Sequence, residues 1–444
     1  MDASNKTLFV KIACMEMILE TKGVPTIQAR SSSNEKTGIA YLLSRYPAIS
    51  HTFFLKEVLG LKELGLPIGT CSINPPDRSP DLLTAPEAEE AGQTYYIKSD
   101  HHWRNISVLL SVLFRHPRVC LRGLRVALSL CTSDIYRCLY LCLYLLEALL
   151  LGAWMKRRKL DHLHIHFGGA VATVGFLASH AWGLPYSLTI HGPEEFYDVE
   201  HYYLAEKFRD AQFIFCISNF CRSQVMKYCP PSHWKNLHVL RLGVDPEHFR
   251  SQPRTGNPIL QIISVGRLTP AKGHIILLQS LVSLLQKGHK IHLTLIGDGS
   301  ERGLLEDFVH RQRLAEFVTF LGALNHDETH AKLAQTDIFA LPSFAEGVPV
   351  ALMEAMAMEI PCVSTRIAGI PELIQDEVEG LLVSASSSEE LAAAIERLVV
   401  SPDLGRQLGS AARTKVINSY NLNENISRLA NAFEQCLSNG KADA

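Results

Sequence analysis

Two α/β halves built on parallel sheets, facing each other across a cleft, are what this 444-residue chain predicts, and three observations carry that prediction. Short apolar runs with strand character alternate with helical segments, the punctuation of βαβ units. The alternation stops at a polar stretch, Arg250 to Pro258, which holds two prolines and a glycine, and then restarts. Length and a 47% hydrophobic composition leave room for two large cores.

The elements follow in order. Residues 1–37 hold only a weak apolar patch, Ile12 to Leu19, interrupted by Glu16 and closed by Glu20, then the run Ser31-Ser32-Ser33. A disordered leader rather than a secretory signal is expected there. A first Rossmann-like domain is expected over 38–245. Its strand-like runs are Gly38 to Leu43, Ile68 to Ile73, Leu163 to Phe167, Tyr186 to Ile190, Phe213 to Ile217 and Leu237 to Leu242, with helices over Leu55 to Leu64 and Ala170 to Trp182. A long helical segment, 103–159, interrupts it. Within that segment Cys138 to Trp154 carries one charge, Glu147, and is at the short limit for a membrane span; a buried helix is the expectation. The second Rossmann-like domain, 246–419, has strand-like runs at Leu260 to Val265, Lys290 to Ile296, Val318 to Leu321, Ile338 to Leu341 and Pro361 to Ser364. The remainder, 420–444, has helical periodicity from Tyr420 to Leu437. Ligands of such open sheets bind beyond the carboxyl ends of the strands, which places the site between the halves.

Composition removes some functions. A net charge of -2 argues against a nucleic-acid footprint, so no nucleic-acid partner is expected. Eleven cysteines lie at irregular positions without CxxC spacing, several inside apolar runs, and read as small hydrophobes in a reducing cytoplasm.

The most informative stretch runs from Ser343 to Glu354. A buried strand leads into a loop carrying Glu346, and Pro349 suits the first turn of a helix that carries Glu354. Backbone N–H groups at that helix start face whatever sits above the strand, and a phosphate is their natural guest. Two carboxylates can accept from the hydroxyls of a hexose and a ribose. Upstream, Gly266-Arg267-Leu268-Thr269-Pro270-Ala271-Lys272-Gly273 sets two cations five residues apart just before a helix. The macrodipole disfavours cations there, so a diphosphate partner is the better explanation for both.

These stretches, with Leu295-Ile296-Gly297-Asp298-Gly299, Phe320-Leu321-Gly322 and Ala368-Gly369-Ile370-Pro371-Glu372 in the same order, resemble the Glu-x7-Glu family 4 retaining glycosyltransferases of the GT-B fold. Tyr46-Pro47-Ala48-Ile49-Ser50-His51-Thr52-Phe53, Glu57, and His164-Ile165-His166-Phe167-Gly168 look like the colanic acid and exopolysaccharide branch. The resemblance implies that Arg267 and Lys272 hold the donor diphosphate, Glu346 the transferred sugar, Gly347 and Val348 a phosphate through their N–H groups, and Glu354 the ribose. Gly299 and Leu321 would lie near the nucleotide, and His191, at the end of a strand, beside the reacting sugar. His166, Ser50 and Thr52 are expected on the acceptor side. Many relatives carry a glycine pair in the first loop, where this chain has Ser44-Arg45-Tyr46-Pro47, which leaves the acceptor side poorly defined. The final helix would cross back onto the first domain.

The implied reaction is retaining transfer of a hexose from a nucleotide diphosphate sugar to a glycan, lipid-linked, in cell-surface polysaccharide synthesis. The leaving phosphate would take the acceptor proton, and Glu346 as covalent nucleophile is the weaker option. No Asp-x-Asp occurs, so no metal and no cofactor is expected. Two rivals stay open: a sucrose- or trehalose-type synthase with a free sugar acceptor, and a non-catalytic nucleotide-sugar-binding scaffold. Gly297 to Gly303 fails as a dinucleotide fingerprint, since Arg302 stands where the third glycine belongs. His162, His164 and His166 alternate on one strand face without acidic or Cys ligands nearby, and packing is preferred to metal. Arg118, Arg122 and Arg125 share one helix face opposite Val119, Leu124, Ala127 and Leu128. A solvated face or contact with an anionic inner leaflet both fit, which would make the protein cytoplasmic and peripheral at the plasma membrane.

Overall fold

The computed structural model describes residues 37–48, 52–98, 102–131, 134–251 and 259–442. The expected leader, Ser50 and most of the polar stretch after Arg250 lie outside these residues. Two all-parallel sheets organise the rest. The first has the order β3-β2-β1-β4-β5-β6-β7, with β1 Ile39–Arg45, β2 Ile68–Asn74, β3 Tyr95–Tyr96, β4 His162–His166, β5 Tyr186–Ile190, β6 Phe213–Cys216 and β7 Leu237–Val239. The second has the order β10-β9-β8-β11-β12-β13, with β8 Leu260–Val265, β9 Ile291–Ile296, β10 Val318–Gly322, β11 Ile338–Leu341, β12 Cys362–Thr365 and β13 Leu381–Val383. Strands covered on both faces are buried along their whole length, as β4, β5 and β11 are. β11 is apolar throughout, whereas the polar residues of β4 and β5 pair with one another, His162 and His164 with Ser187 and Thr189. In both sheets the order reverses beside the first strand, so the cleft opens at the strand ends there.

In the first half the helices are α1 Thr52–Glu63, α2 Ala85–Gln93, α3 His102–Arg115, α4 Pro117–Leu130, α5 Ile135–Arg158, α6 Ala170–Trp182, α7 Leu204–Asp210 and α8 Asn219–Met226. The expected single helical stretch is therefore three helices. Pro117 takes the first position of α4, and Asp134 caps α5 by accepting from the N–H groups of Tyr136 and Arg137. The C-terminal half of α5 is core, with Ala148, Leu151 and Met155 fully buried. Gly123 lets α4 approach Leu145, and Gly152 lets α5 approach Trp182. One expectation about α4 fails. Val119 and Ala127 face inward with Gly123, but Leu124 and Leu128 are exposed beside Arg118, Arg122 and Arg125, because the contact with α6 takes only a narrow small-residue stripe.

The second half carries α9 His274–Gln286, α10 Arg302–Arg311, α11 His326–Leu333, α12 Val350–Ala357, α13 Ile370–Leu373, α14 Ser388–Val400 and α15 Pro402–Ser419. After Tyr420 the chain returns. Asn421 bridges Val244, Val244 N–H donates to Tyr420 O (2.9 Å), and Leu422 N–H donates to Val244 O (3.0 Å). The last helix, α16 Leu422–Ala442, seats Ile426, Leu429 and Phe433 on the first-half cluster that contains Tyr41, Phe54 and Phe215.

Candidate active site

On the second half, two loops are pressed together at glycine. Gly297 has φ 137°, and a Cβ there would lie 1.9 Å from Gly266 O; one on Gly299 would lie 2.4 Å from Leu268 O. Leu268 N–H donates to Asp298 O (3.0 Å) and locks this arrangement. The turn that ends at Lys272 is tied to the next loop, since Phe344 and Ala345 N–H both donate to Ala271 O (2.8 and 3.2 Å). Lys272 Nζ thus stands 2.5 Å from Glu346 Oε1, which also accepts from Ser343 Oγ (2.8 Å). Glu346 is buried, so this pair is shielded far better than a surface bridge. The two residues assigned to diphosphate and sugar neutralise each other here. The amides of Gly347 and Val348, just before α12, donate to nothing among the described residues and add the positive end of a helix dipole.

Other expected donor residues are spread around this pair. Arg267 is largely exposed and reaches Glu194 of the first half (3.7 Å), a weak, screened contact. Gly299 lies against Leu268, and Leu321 packs partly buried on the second-half core. Glu354 is buried in α12, 3.4 Å from His326 Nε2, which Lys56 of α1 approaches at 3.4 Å. His248, His326 and Asp327 cluster as metal ligands could, but the Lys56 ammonium already brings a cation to that histidine.

On the first half, His162 Nε2 lies 2.7 Å from Ser187 Oγ, and His164 lies 2.8 Å from Ser187 Oγ and 2.9 Å from Thr189 Oγ1. Burial holds His162 down at about 3 and His164 well below its ordinary value. Both ring nitrogens of His164 are thereby engaged, whereas His162 Nδ1 is buried without a hydrogen-bond partner among the described residues. His166 differs: its Nδ1 lies 3.0 Å from His191 Nε2, and its Nε2 lies 3.3 Å from Glu57 without hydrogen-bond alignment. Tyr41 OH donates to the same Glu57 carboxylate (2.9 Å). A line of Glu57, His166 and His191 therefore leads to the cleft. Thr52 begins α1, and its side chain, like Ser50, lies outside the described residues.

Glu195 and Lys207 received no role from the sequence. Glu195 accepts from the N–H groups of His191 (2.6 Å), Gly192 (3.0 Å) and Gly168 (2.6 Å). Burial pushes its carboxyl up to about 7, against the pull of those three donors. Lys207 is fully buried and donates to Gly168 O, Gly169 O and Thr173 Oγ1 (2.8, 3.0 and 2.9 Å). Together they fix the loops after β4 and β5. An acidic residue three positions after a strand-end glycine, as in a capping box, was the available signal for Glu195.

The two halves meet at backbone distance. A Cβ on Gly347 would lie 1.9 Å from His191 O, and within the second half one on Gly369 would lie 2.1 Å from Gly347 O, which backs the Gly347 loop. Glu372 of α13 accepts from Asn219 N–H and Nδ2 (3.0 and 2.9 Å) and from Phe220 N–H (2.8 Å), at the N-terminus of α8. The cleft is closed, with His191 over the loop of Glu346 and Gly347.

Two Rossmann-like domains facing each other in this way are the GT-B fold. Solved structures share it: sucrose-phosphate synthase of Thermosynechococcus elongatus covers 90% of the chain and 99% of its own length at TM-score 0.69 and 16% identity. HepE of Anabaena in complex with UDP covers 90% and 100% at TM-score 0.67 and 16% identity. The model of Glycosyl transferases group 1 matches residues 245–415, and that of Glycosyltransferase Family 4 matches 135–248. Two adjoining glycosyltransferase domains are thus matched across residues 135–415, and the chain is a glycosyltransferase. Among curated relatives, the amylovoran biosynthesis glycosyltransferase AmsK of Erwinia amylovora is 27% identical over 89% of this chain and 99% of its own. The colanic acid biosynthesis glycosyltransferase WcaL of Escherichia coli, so named as putative, is 26% identical over 89% and 100%.

Proposed function

We propose that this glycosyltransferase moves a hexose from a nucleoside diphosphate sugar to a growing exopolysaccharide on a lipid carrier, at the cytoplasmic side of a membrane, with retention and without a metal. The observation that carries this reading is the closed cleft in which Lys272, Glu346 and the Gly347 and Val348 amides converge under His191. On donor binding the diphosphate takes Lys272, Arg267 and the two amides, and Glu346, released from Lys272, accepts from the hexose hydroxyls. Glu354 accepts from the ribose. Charge on the departing phosphate is met by fixed donors, so no protein nucleophile is required. His191, held through its N–H by Glu195 and through its ring by His166, lines the acceptor side of the reacting sugar.

Relatives support the pathway: AmsK and WcaL are named for amylovoran and colanic acid. A mannosyltransferase named as GDP-mannose-dependent, from Mycobacterium tuberculosis, is 27% identical over 48% of the chain and 59% of its own, which favours a nucleotide-hexose donor. The test is calorimetry of the purified protein against UDP-, GDP- and ADP-sugars, followed by nucleotide release with and without a membrane-lipid extract. Release stimulated by the extract and unchanged by EDTA is expected. Binding that never leads to release in the extract, or release abolished by EDTA, contradicts the proposal.

A further inference from the structure

The helices α3 to α5 turn a large apolar surface to solvent. Trp103 and Phe114 of α3 are 84% and 80% exposed, and Ile135 and Tyr136 of α5 are each 74% exposed. Each helix packs inward through a separate stripe, around Val112, Val119 and Leu145, so the exposed side chains stand on the outward faces. Soluble surfaces seldom carry so many large exposed apolar side chains together. The longest of these helices is apolar enough to span a membrane, but 56% of its most apolar window is buried in the fold, so it can lie on a bilayer and not cross one.

Charge decides what covers this face. Residues 102–158 hold nine Arg and Lys against two acids, and neither acid is free: Glu147 is buried beside Lys98 (3.2 Å), and Asp134 caps α5. A second copy would bring like charges together, whereas an anionic bilayer matches them.

Beside α3, at the β3 edge of the first sheet, lies a cavity of about 710 Å³. Lys98, Arg104, Arg157 and Arg158 line it, with Tyr95 stacked on Trp154 at 5.5 Å and the Arg104 guanidinium 5.6 Å from the Tyr95 ring. The three arginines pair with no carboxylate among the described residues. Cations gathered without a counter-charge call for an anion, and guanidinium forks suit phosphate. Arg104, which lines the cavity, follows the exposed Trp103 on α3, so the cavity and the apolar surface share that helix.

We infer that α3 to α5 seat the protein on an anionic phospholipid bilayer, with the Lys98–Arg104–Arg157–Arg158 cavity holding a lipid phosphate. The inference is independent of the catalytic reading, because vesicle binding is scored without donor or acceptor. The test is flotation of the full chain with phosphatidylcholine vesicles, with and without phosphatidylglycerol. Soluble glycerol phosphate serves as competitor, and folding is monitored by melting temperature and donor binding. Binding is expected on the anionic vesicles and weakened by salt. The triple variant R104Q/R157Q/R158Q should lose at least about tenfold in affinity for them. The variant W103S/F114S should lose binding while keeping its fold. Equal binding to both vesicles, an unaffected triple variant, or no flotation would overturn the inference. So would displacement by millimolar glycerol phosphate, which would assign the cavity to a soluble anion, or self-association abolished by W103S/F114S without vesicle binding.

Discussion

Glu346 and Glu354 look alike in sequence, but their surroundings assign them different tasks. Glu346 shares one oxygen between Lys272 and Ser343 inside the closed cleft, whereas Glu354 is buried one turn into a helix beside His326. Glu354→Ala should weaken donor binding about 10- to 100-fold by removing a charged acceptor, as read by calorimetry, with a smaller effect on the rate at saturating donor. His274 makes a second residue-scale prediction. It is fully buried with both ring nitrogens unpartnered, and burial, then Lys272, holds it down at about 4. The unfolded chain binds its proton near pH 6.5, so this histidine's contribution to stability is present above that and is lost as pH falls towards 4. Glu195 acts in the opposite sense, since its raised carboxyl lowers stability as pH rises through about 4.5 to 7, but it is common to both proteins being compared. The melting temperature of His274→Leu relative to wild type should therefore be higher at pH 5 than at pH 8. An equal difference at both values would show that this imidazole is not held neutral.

At the scale of elements, closure depends on glycine. Gly347 leaves no room for a methyl against His191 O, but opening the cleft relieves that clash without disturbing either core. Gly347→Ala should thus reduce turnover about 100-fold with the melting temperature nearly unchanged, measured by initial rates and calorimetry. A large drop in melting temperature would mean that the halves cannot separate there. The long strands were legible because buried parallel strands read as apolar runs. Strands β3 and β13, with two and three residues, are too short for any periodicity to register. The break of the helical segment into three was foreshadowed only by Pro117, and the exposed side of α4 could not be foreseen, since composition does not say how narrow a helix contact will be.

At the scale of the whole molecule, the second-half motifs singled out Lys272 and Glu346 but not their pairing. Lys272 and Glu346 are 74 positions apart and meet only because β8 and β11 are neighbours. The contact of Glu372 with α8 joins residues 153 and 152 positions apart across the two halves. Glu195 and Lys207 escaped notice because their partners are mostly backbone groups, which carry no side-chain signature. What unifies these contacts is a cleft in which Glu346 lies beneath His191, where the proposed function puts the reacting sugar. The most direct test compares wild type with Glu346→Gln in donor affinity and in the rate of nucleotide release at saturating donor and lipid extract. A fall of about 100-fold in rate with affinity held within a few-fold is predicted, because the carboxylate acts on the sugar as the bond breaks. An affinity that falls as far as the rate would contradict it, and would make Glu346 a binding residue only.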